Sequence, residues 1–220
     1  MDRPTIDWNW IDRHSDDIQH LSIEHLKLVL ISVGISIAIW VPLAVLLRNR
    51  RVLFPASTTI AALIYTIPSL ALFAFLVPGT GIGRTTVLIG LVLYSPLILM
   101  RNTVAGLRAV PGPVREAARG MGLTRLQTLL RVELPLALPS IFAGVRIITV
   151  TTVGIATIGV LVGFEGLGTL IYTDGMNRDF LTPIVVGAVI ATAMAIVLDF
   201  LVLLAQRAVT PWARARDAAD

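Results

Sequence analysis

The chain has 220 residues, of which 55% are hydrophobic and 15% are charged, and its mean hydropathy is +0.82. A typical soluble domain is about 25% charged, so this composition excludes an ordinary soluble globule and indicates a protein embedded in lipid. Cysteine is absent, which excludes disulfides, cysteine–zinc sites and iron–sulfur clusters. The net charge of +4 raises nucleic acid as a partner only if the basic residues do not have a topological explanation.

Five apolar segments of membrane-spanning length follow a polar, acidic start. Residues 1–27 have neither the basic start nor the short apolar core of a secretory signal, and they are predicted to form a short amphipathic or irregular extracytoplasmic segment. The predicted spans cover about residues 28–47, 55–77, 85–107, 134–163 and 181–205. The fourth is long for one straight helix, which predicts a tilt or a break at its far end. The fold class is therefore all-α integral membrane protein, with a transmembrane domain at 28–206 and a tail at 207–220.

The basic residues are concentrated on one side of the five predicted spans. That side carries Arg48, Arg50, Arg51, Arg101, Arg108, Arg115, Arg119, Arg125, Arg131, Arg207, Arg214 and Arg216. The opposite side carries Arg3, Arg13, Lys27, Arg84 and Arg178 among many acidic residues. The positive-inside rule then places the N-terminus outside and the C-terminus in the cytoplasm. Topology accounts for the basic charge, and no nucleic-acid partner is expected.

The segment 108–135, on the arginine-rich side, is predicted to form two helices joined by a turn. Pro113 suits the first position of a helix, where its missing N–H costs nothing. That helix is predicted to end at Gly120 or Gly122. Thr124 with Gln127 three residues later is typical of a capping box, which begins a second helix. The pattern predicts a helix–turn–helix elbow outside the membrane, just before the fourth span.

The first helix of this elbow has the residue types of a docking element. Ala117 and Ala118 would let it lie deep in a groove of another protein, and Arg115, Glu116 and Arg119 could make charged contacts around it. A short rigid helix between two spans can transmit a push from a soluble partner into the membrane. The alternative is an ordinary cytoplasmic loop with two amphipathic helices.

A longer pattern runs across this segment: Glu-Ala-Ala, three residues, Gly, nine residues, an aliphatic residue, any residue, then Leu-Pro. Its fixed positions are Glu116, Ala117, Ala118, Gly122, Val132, Leu134 and Pro135. This pattern resembles the EAA loop of permease subunits of ATP-binding-cassette (ABC) importers. Only Val132 departs from the usual isoleucine. The resemblance implies that residues around Arg115–Gly122, including Gly120, insert into a cleft of a separate ATPase subunit as a coupling helix.

The resemblance extends over about residues 25–205. The stretch Thr-Ile-Pro-Ser-Leu-Ala at residues 66–71 is similar to one found in permeases for the osmoprotectants glycine betaine, carnitine and choline. The other similar stretches are 101–103, 116–122, 144–146, 163–171 and 198–200. The resemblance implies a type I ABC importer permease fold working by alternating access. It also implies a second permease subunit, identical or homologous, an ABC ATPase subunit and an extracytoplasmic solute-binding protein.

The chain itself is not expected to be an enzyme. It has no Gly-x-x-x-x-Gly-Lys-Ser/Thr phosphate loop, so ATP and Mg are expected on the ATPase subunit and no cofactor or metal on this chain. Its histidines, at 14, 20 and 25, do not stack on one helix face and are predicted to be solvated. A membrane-embedded enzyme would instead require clustered His, Asp or Glu near the membrane interface.

Two groups of polar residues within the spans are candidates for the transport path. The first is Tyr65, Thr66, Pro68, Ser69 and Tyr94, whose alternative is a lipid-buried kink with its hydroxyls bonded to their own backbone. The second is Arg146 with Asp199. Each lies about seven residues, or about 10 Å, from the cytoplasmic end of its predicted helix. They are predicted to form an ion pair, either a gate element or a purely structural pair.

The substrate is the least determined feature of the sequence. Quaternary ammonium groups are often held by aromatic rings, and Tyr65, Phe73, Phe75 and Tyr94 are candidates. The predicted cargo is a small osmolyte such as glycine betaine, choline or carnitine. An amino acid such as methionine, or a secondary transporter or channel acting alone, remains an alternative.

Overall fold

Long apolar helices make up most of residues 6–212, the part of the chain that the computed structural model describes. The helices are α1 (Trp8–Arg13), α2 (Ser15–Leu47), α3 (Leu53–Thr66), α4 (Ser69–Thr80), α5 (Arg84–Tyr94), α6 (Pro96–Arg108), α7 (Gly112–Gly120), α8 (Arg125–Thr128), α9 (Leu134–Ile158) and α10 (Leu181–Val209). Short π-helical or 3₁₀-helical turns cover Leu129–Glu133, Gly159–Val162, Thr169–Gly175 and Met176–Arg178. The predicted topological arginines Arg3, Arg214 and Arg216 lie outside the described residues.

The predicted set of about five spans is confirmed. Within residues 6–212, four helical stretches are long and apolar enough to cross a membrane, and the bent pair α3–α4 makes a fifth if it counts as one span. The fourth span does change at its far end, as expected, where α9 gives way to the 3₁₀ turn Gly159–Val162. The core lies between α2, α5, α9 and α10, with Leu28, Leu91, Ile148 and Leu198 among its buried side chains.

The polar start is more ordered than the sequence predicted. Helix α2 begins at Ser15 rather than near Leu28, because Ile18 and Leu21 continue its apolar face into the core. Helix α1 is capped by Asp7, whose backbone N–H also donates to Thr182 Oγ1 at 2.9 Å. The described part of this segment is therefore helical and packs against the start of α10, which agrees with the amphipathic alternative and not with the irregular one.

The second predicted span is not one helix. Helices α3 and α4 meet at an angle of 103°, a much sharper bend than a kink within one helix. Pro68 lacks an N–H and disfavours helical geometry in the residue before it, and Ile67 is accordingly extended, with φ −68° and ψ 128°. The bend leaves residues 65–68 exposed.

Helices α6 and α9 approach closely at two glycines. A Cβ on Gly106 would lie 2.7 Å from Ser140 Cβ, and one on Gly144 would lie 2.9 Å from Asn102 Cβ. Ser140 Oγ also donates to the Asn102 carbonyl at 2.9 Å. This close packing fixes the two helices that flank α7 and α8, so the elbow is attached to a rigid pair.

Residues 164–180, which separate the fourth and fifth predicted spans, are largely wound into helical turns and are partly buried. Phe164, Leu167 and Leu170 lie in the core, and a Cβ on Gly168 would clash with the Thr157 carbonyl oxygen. The turns place apolar side chains inward although the segment is too short and too rich in glycine to show a helical period in the sequence.

The prediction that the three histidines are solvated is wrong for His25, which is fully buried. Its Nε2 lies 3.1 Å from the Val153 carbonyl oxygen, and its Nδ1 accepts a hydrogen bond from the Leu167 N–H at 3.3 Å. A neutral ring with the proton on Nε2 satisfies both contacts. His25 therefore joins α2 to α9 and to the segment that follows α9.

Replacing His25 with leucine is expected to lower the thermal stability of the purified protein in detergent. The change leaves the buried Leu167 N–H without its partner, at a cost of about 1–3 kcal/mol, and removes the ring contact to the Val153 carbonyl. His20→Leu is the matched control, because His20 is exposed. Equal melting temperatures for the two variants would show that the His25 contacts do not stabilise the fold.

Candidate functional site

The helix–turn–helix elbow between α6 and α9 forms as the sequence predicted. Helix α7 ends at Gly120, and Gly122 adopts the left-handed conformation, with φ +79°. Both capping-box bonds are present: Gln127 N donates to Thr124 Oγ1 at 3.3 Å, and Thr124 N donates to Gln127 Oε1 at 2.8 Å. The turn between the two helices is therefore fixed by local chemistry.

The second arm of the elbow is continuous with the fourth span. Helix α8 passes through the π-helical turn Leu129–Glu133 directly into α9, which gives a helical stretch from Arg125 to Val162. Helix α8 and helix α9 are therefore connected by continuous helix and not by a loop.

The predicted coupling residues fall on two faces of α7. Glu116, Ala117, Arg119 and Gly120 are exposed, as is Gly122 beyond the helix end. Ala118 is 1% exposed and packs against its own chain, and Arg115 is half-buried. The expectation that both alanines enter a partner's groove therefore needs correction, because only Ala117 presents its methyl group outward.

A charge bridge that the sequence reading missed holds α7 against the transmembrane helices. Glu133 is buried, and its two carboxylate oxygens face Arg48 and Arg115. Arg48 Nη2 lies 2.7 Å from Oε2 and Arg115 Nε lies 3.3 Å from Oε1, charge contacts whose angles are not those of hydrogen bonds. Arg115 Nη2 also donates to the Leu107 carbonyl at 2.6 Å. The signal for this bridge in the sequence was the acidic residue Glu133 in a segment rich in arginine.

The first group of candidate path residues gathers at the α3–α4 bend. The rings of Tyr65 and Tyr94 meet edge to face, with centroids 5.9 Å apart and planes at 80°. The Tyr94 hydroxyl donates to the Ile67 carbonyl, which lies between the two helices. The Thr66 hydroxyl donates to the Leu63 carbonyl at 2.7 Å.

The bend is open on one side, since Tyr65 is 39% exposed, Pro68 is exposed and Ser69 is half-buried. Of the two phenylalanines considered, Phe73 is fully buried in the core and Phe75 is 88% exposed. Tyr94 is also buried, at 7% exposed. Phe73 and Tyr94 therefore do not present a ring to a cation, and Tyr65 is the exposed ring of the bend.

Arg146 on α9 and Asp199 on α10 face each other across the two helices. Arg146 Nε donates to Asp199 Oδ1 at 2.7 Å, and Nη2 donates to Oδ2 at 2.6 Å. This two-point geometry is the strongest form of an arginine–carboxylate contact. Both side chains remain about a third exposed, at 35% and 30%, so the pair lies at the edge of the bundle.

Comparison with curated proteins gives relatives over most of the chain. Residues 31–215 match the family described as binding-protein-dependent transport system inner membrane component. The chain is 39% identical over 196 residues to the osmoprotectant import permease protein OsmW of Salmonella typhimurium, which covers 87% of this chain and 91% of that protein. It is 35% identical over 202 residues to the choline transport system permease protein OpuBB of Bacillus subtilis, covering 92% and 93%. The carnitine transport permease protein OpuCD of Listeria monocytogenes is 40% identical over 172 residues, covering 78% and 77%.

Comparison with solved structures gives the same architecture. A chain of the inward-facing MetNI methionine ABC transporter superposes with a TM-score of 0.81 at 26% identity, covering 90% of this chain and 98% of that chain. A chain of an amino acid ABC transporter solved with histidines superposes with a TM-score of 0.74 at 20% identity, covering 92% and 98%. The second likeness concerns the fold alone.

Proposed function

Because the chain belongs to the family of binding-protein-dependent transport system inner membrane components, we propose that it forms half of the path by which an ATP-driven importer moves a small quaternary-ammonium osmolyte. Its fold is that of type I ABC importer permeases. The proposed cargo is glycine betaine, choline or carnitine. The observation that carries this cargo is that relatives at 35% to 40% identity are named for osmoprotectant, choline and carnitine transport.

The α3–α4 bend supports this cargo. Tyr65 offers an exposed ring, which the buried Tyr94 ring supports edge to face, beside the exposed residue Ile67. A quaternary ammonium group gains about 0.5–2 kcal/mol from a suitably placed aromatic face, and it needs no hydrogen-bond acceptor. We place the bend on the wall of the path, where a modest affinity would let the cargo pass.

Three partners follow from this role. An ABC ATPase subunit would receive the exposed face of α7 around Glu116 and Ala117 and would carry ATP and Mg. A second permease subunit, identical or homologous, would complete the path, and an extracytoplasmic solute-binding protein would deliver the cargo. The arginine distribution supports a cell-membrane protein with its N-terminus outside and its C-terminus in the cytoplasm.

The proposed movement is alternating access driven at α7. Closure of two ATPase subunits on ATP would displace α7, and the continuous helix from α8 into α9 would carry that displacement across the membrane. Helix α6 would move with α9, because the two helices pack closely at Gly106 and Gly144. The α3–α4 bend would change its exposure to the two sides as the helices move.

Uptake into proteoliposomes tests the cargo. The chain is reconstituted with its ATPase subunit and binding protein, and uptake of labelled glycine betaine is competed with choline, carnitine and methionine. We expect competition by the quaternary-ammonium compounds and none by methionine. Selective competition by methionine would contradict the proposal and favour an amino acid importer, the function named for the MetNI structure.

Replacing Tyr65 with alanine is expected to raise the KM for glycine betaine about tenfold, since the lost ring contact is worth about 1–2 kcal/mol. Tyr172→Ala is the matched control, because Tyr172 is 37% exposed against 39% for Tyr65 but lies in the segment after α9. An unchanged KM for Tyr65→Ala would show that the cargo does not contact Tyr65 at the bend.

A further inference from the structure

A cavity of about 290 Å³ lies behind α7, between that helix and the ends of the transmembrane helices. Its walls come from the loop after α2, from the end of α6, from α7 and from α8 with the π-helical turn. The lining residues are Arg48, Asn49, Leu107, Arg108, Arg115, Arg119, Arg125, Thr128 and Glu133. Five guanidinium groups thus face one carboxylate around a space several times the roughly 30 Å³ that a water molecule occupies in the liquid.

The residues that the structure describes do not balance the charges of this cavity. Glu133 is shared between Arg48 and Arg115. Among residues 6–212, no acidic side chain forms an ion pair with Arg108, Arg119 or Arg125, and Arg108 instead lies over the Phe54 ring at 5.7 Å. Like charges gathered around one space repel each other unless an anion lies between them.

Four buried polar atoms at the cavity also have no hydrogen-bond partner within the described part of the chain: Arg48 Nη1, Arg115 Nε, the Thr128 hydroxyl and Glu133 Oε2. Thr128 is 5% exposed and is helical, so its hydroxyl could have bonded to the carbonyl four residues earlier, as Thr149 does, but it forms no such bond. Unpaired buried donors are costly. An acceptor in the cavity would satisfy the donors of Arg48, Arg115 and Thr128, whereas Glu133 Oε2 already faces Arg48 Nη2 at 2.7 Å.

We propose that this cavity binds a phosphate group, supplied either by free inorganic phosphate or by the headgroup of an anionic phospholipid. A phosphate has several acceptor oxygens directed to different sides, which suits guanidinium groups arriving from several elements and a hydroxyl donor. A single carboxylate has two oxygens and would leave most of these donors unpaired. The bound phosphate would link Arg115 and Arg119 of α7 to Arg48 and Arg108 at the ends of α2 and α6.

If a phosphate binds here, how firmly α7 is held against the other helices would depend on the anion. With phosphate bound, α7 would be tied to α2 and α6 as well as to α9. Without it, the repulsion among the arginines would loosen the elbow. This consequence relies on the proposed role of α7, whereas phosphate binding does not, and the experiment below measures binding alone on the isolated chain.

Binding is measured on the purified full-length chain in detergent with two probes. Inorganic phosphate is titrated while thermal stability is followed, and phosphatidylglycerol or phosphatidylcholine is added before native mass spectrometry counts the lipids retained. The test variant is Arg108→Gln with Arg125→Gln, which leaves the Glu133 bridge intact. Its matched control is Arg50→Gln with Arg51→Gln, two exposed arginines of the same side that do not line the cavity.

We expect the test variant to bind at least tenfold more weakly than the wild type, and the control to bind normally. Protection by inorganic phosphate identifies free phosphate as the source, and selective retention of phosphatidylglycerol identifies the lipid. Thr128→Val is a second variant: it removes a hydroxyl that has no hydrogen-bond partner among residues 6–212, so it should weaken binding without lowering stability. Equal binding by test and control variants would overturn the proposal, as would a wild type that binds neither probe.

Discussion

A leucine in place of Ala117 is expected to weaken the complex with the ATPase subunit and to reduce ATP-driven uptake at least tenfold, while the isolated chain keeps its stability. Ala117 is exposed on α7, so a larger side chain there meets nothing within its own chain. In the proposed complex the same side chain would have to fit into the groove that receives α7. Extra methylene groups in a packed contact cost about 1–3 kcal/mol, enough to displace a short docking helix.

Ala118→Leu provides the matched comparison because it makes the same change one residue along the helix. Ala118 is 1% exposed within its own chain, so leucine at this position should lower the melting temperature of the isolated chain. Complex formation is measured by size-exclusion chromatography with the ATPase subunit, and stability by thermal unfolding in detergent. If Ala117→Leu assembled and transported normally, the exposed face of α7 would not be the ATPase contact.

The second large effect is expected at the contact between α9 and α10. Asp199→Asn leaves Arg146 without its carboxylate inside a predicted span, where an unpaired charge costs about 2.5–3.5 kcal/mol on insertion-based scales. We expect a clear loss of thermal stability and of folded yield. Arg146→Met should have a comparable effect because it leaves Asp199 unpaired.

Exchanging the two charges separates pairing from other roles. The double variant Arg146→Asp with Asp199→Arg should recover much of the stability that either single change loses, whereas a gate role would leave transport impaired despite the recovery. Asp174→Asn is the control: Asp174 faces Arg178, which is 69% exposed, at 3.5 Å, and such surface pairs contribute about 0–1 kcal/mol. If the charge exchange did not restore stability, the pair would not be what holds these helices together.

The features that could be predicted from the sequence are those decided by local chemistry or by simple periodicity. The cap at Thr124, the left-handed Gly122 and the number of apolar spans depend on neighbouring residues or on the length of apolar runs. The pairing of Arg146 with Asp199 could be anticipated because charges within spans are rare and both were placed at a similar depth.

The features that could not be predicted depend on how distant segments pack. The 103° bend at Pro68 depends on α3 and α4 finding separate neighbours, and a proline alone gives no angle. The burial of His25 depends on Val153 and on Leu167, which is 142 residues away. The outward position of Ala117 against the inward position of Ala118 required knowing where α7 lies relative to α8 and α9.

Uptake of glycine betaine into proteoliposomes, measured with and without the ATPase subunit, tests most directly the claim that this chain is the passive half of an ATP-driven path. With the binding protein, the ATPase subunit and internal ATP present, uptake against a gradient should be seen. Without the ATPase subunit there should be no uptake, and the purified chain alone should hydrolyse no ATP. Sustained uptake without the ATPase subunit, or hydrolysis by this chain alone, would contradict the account.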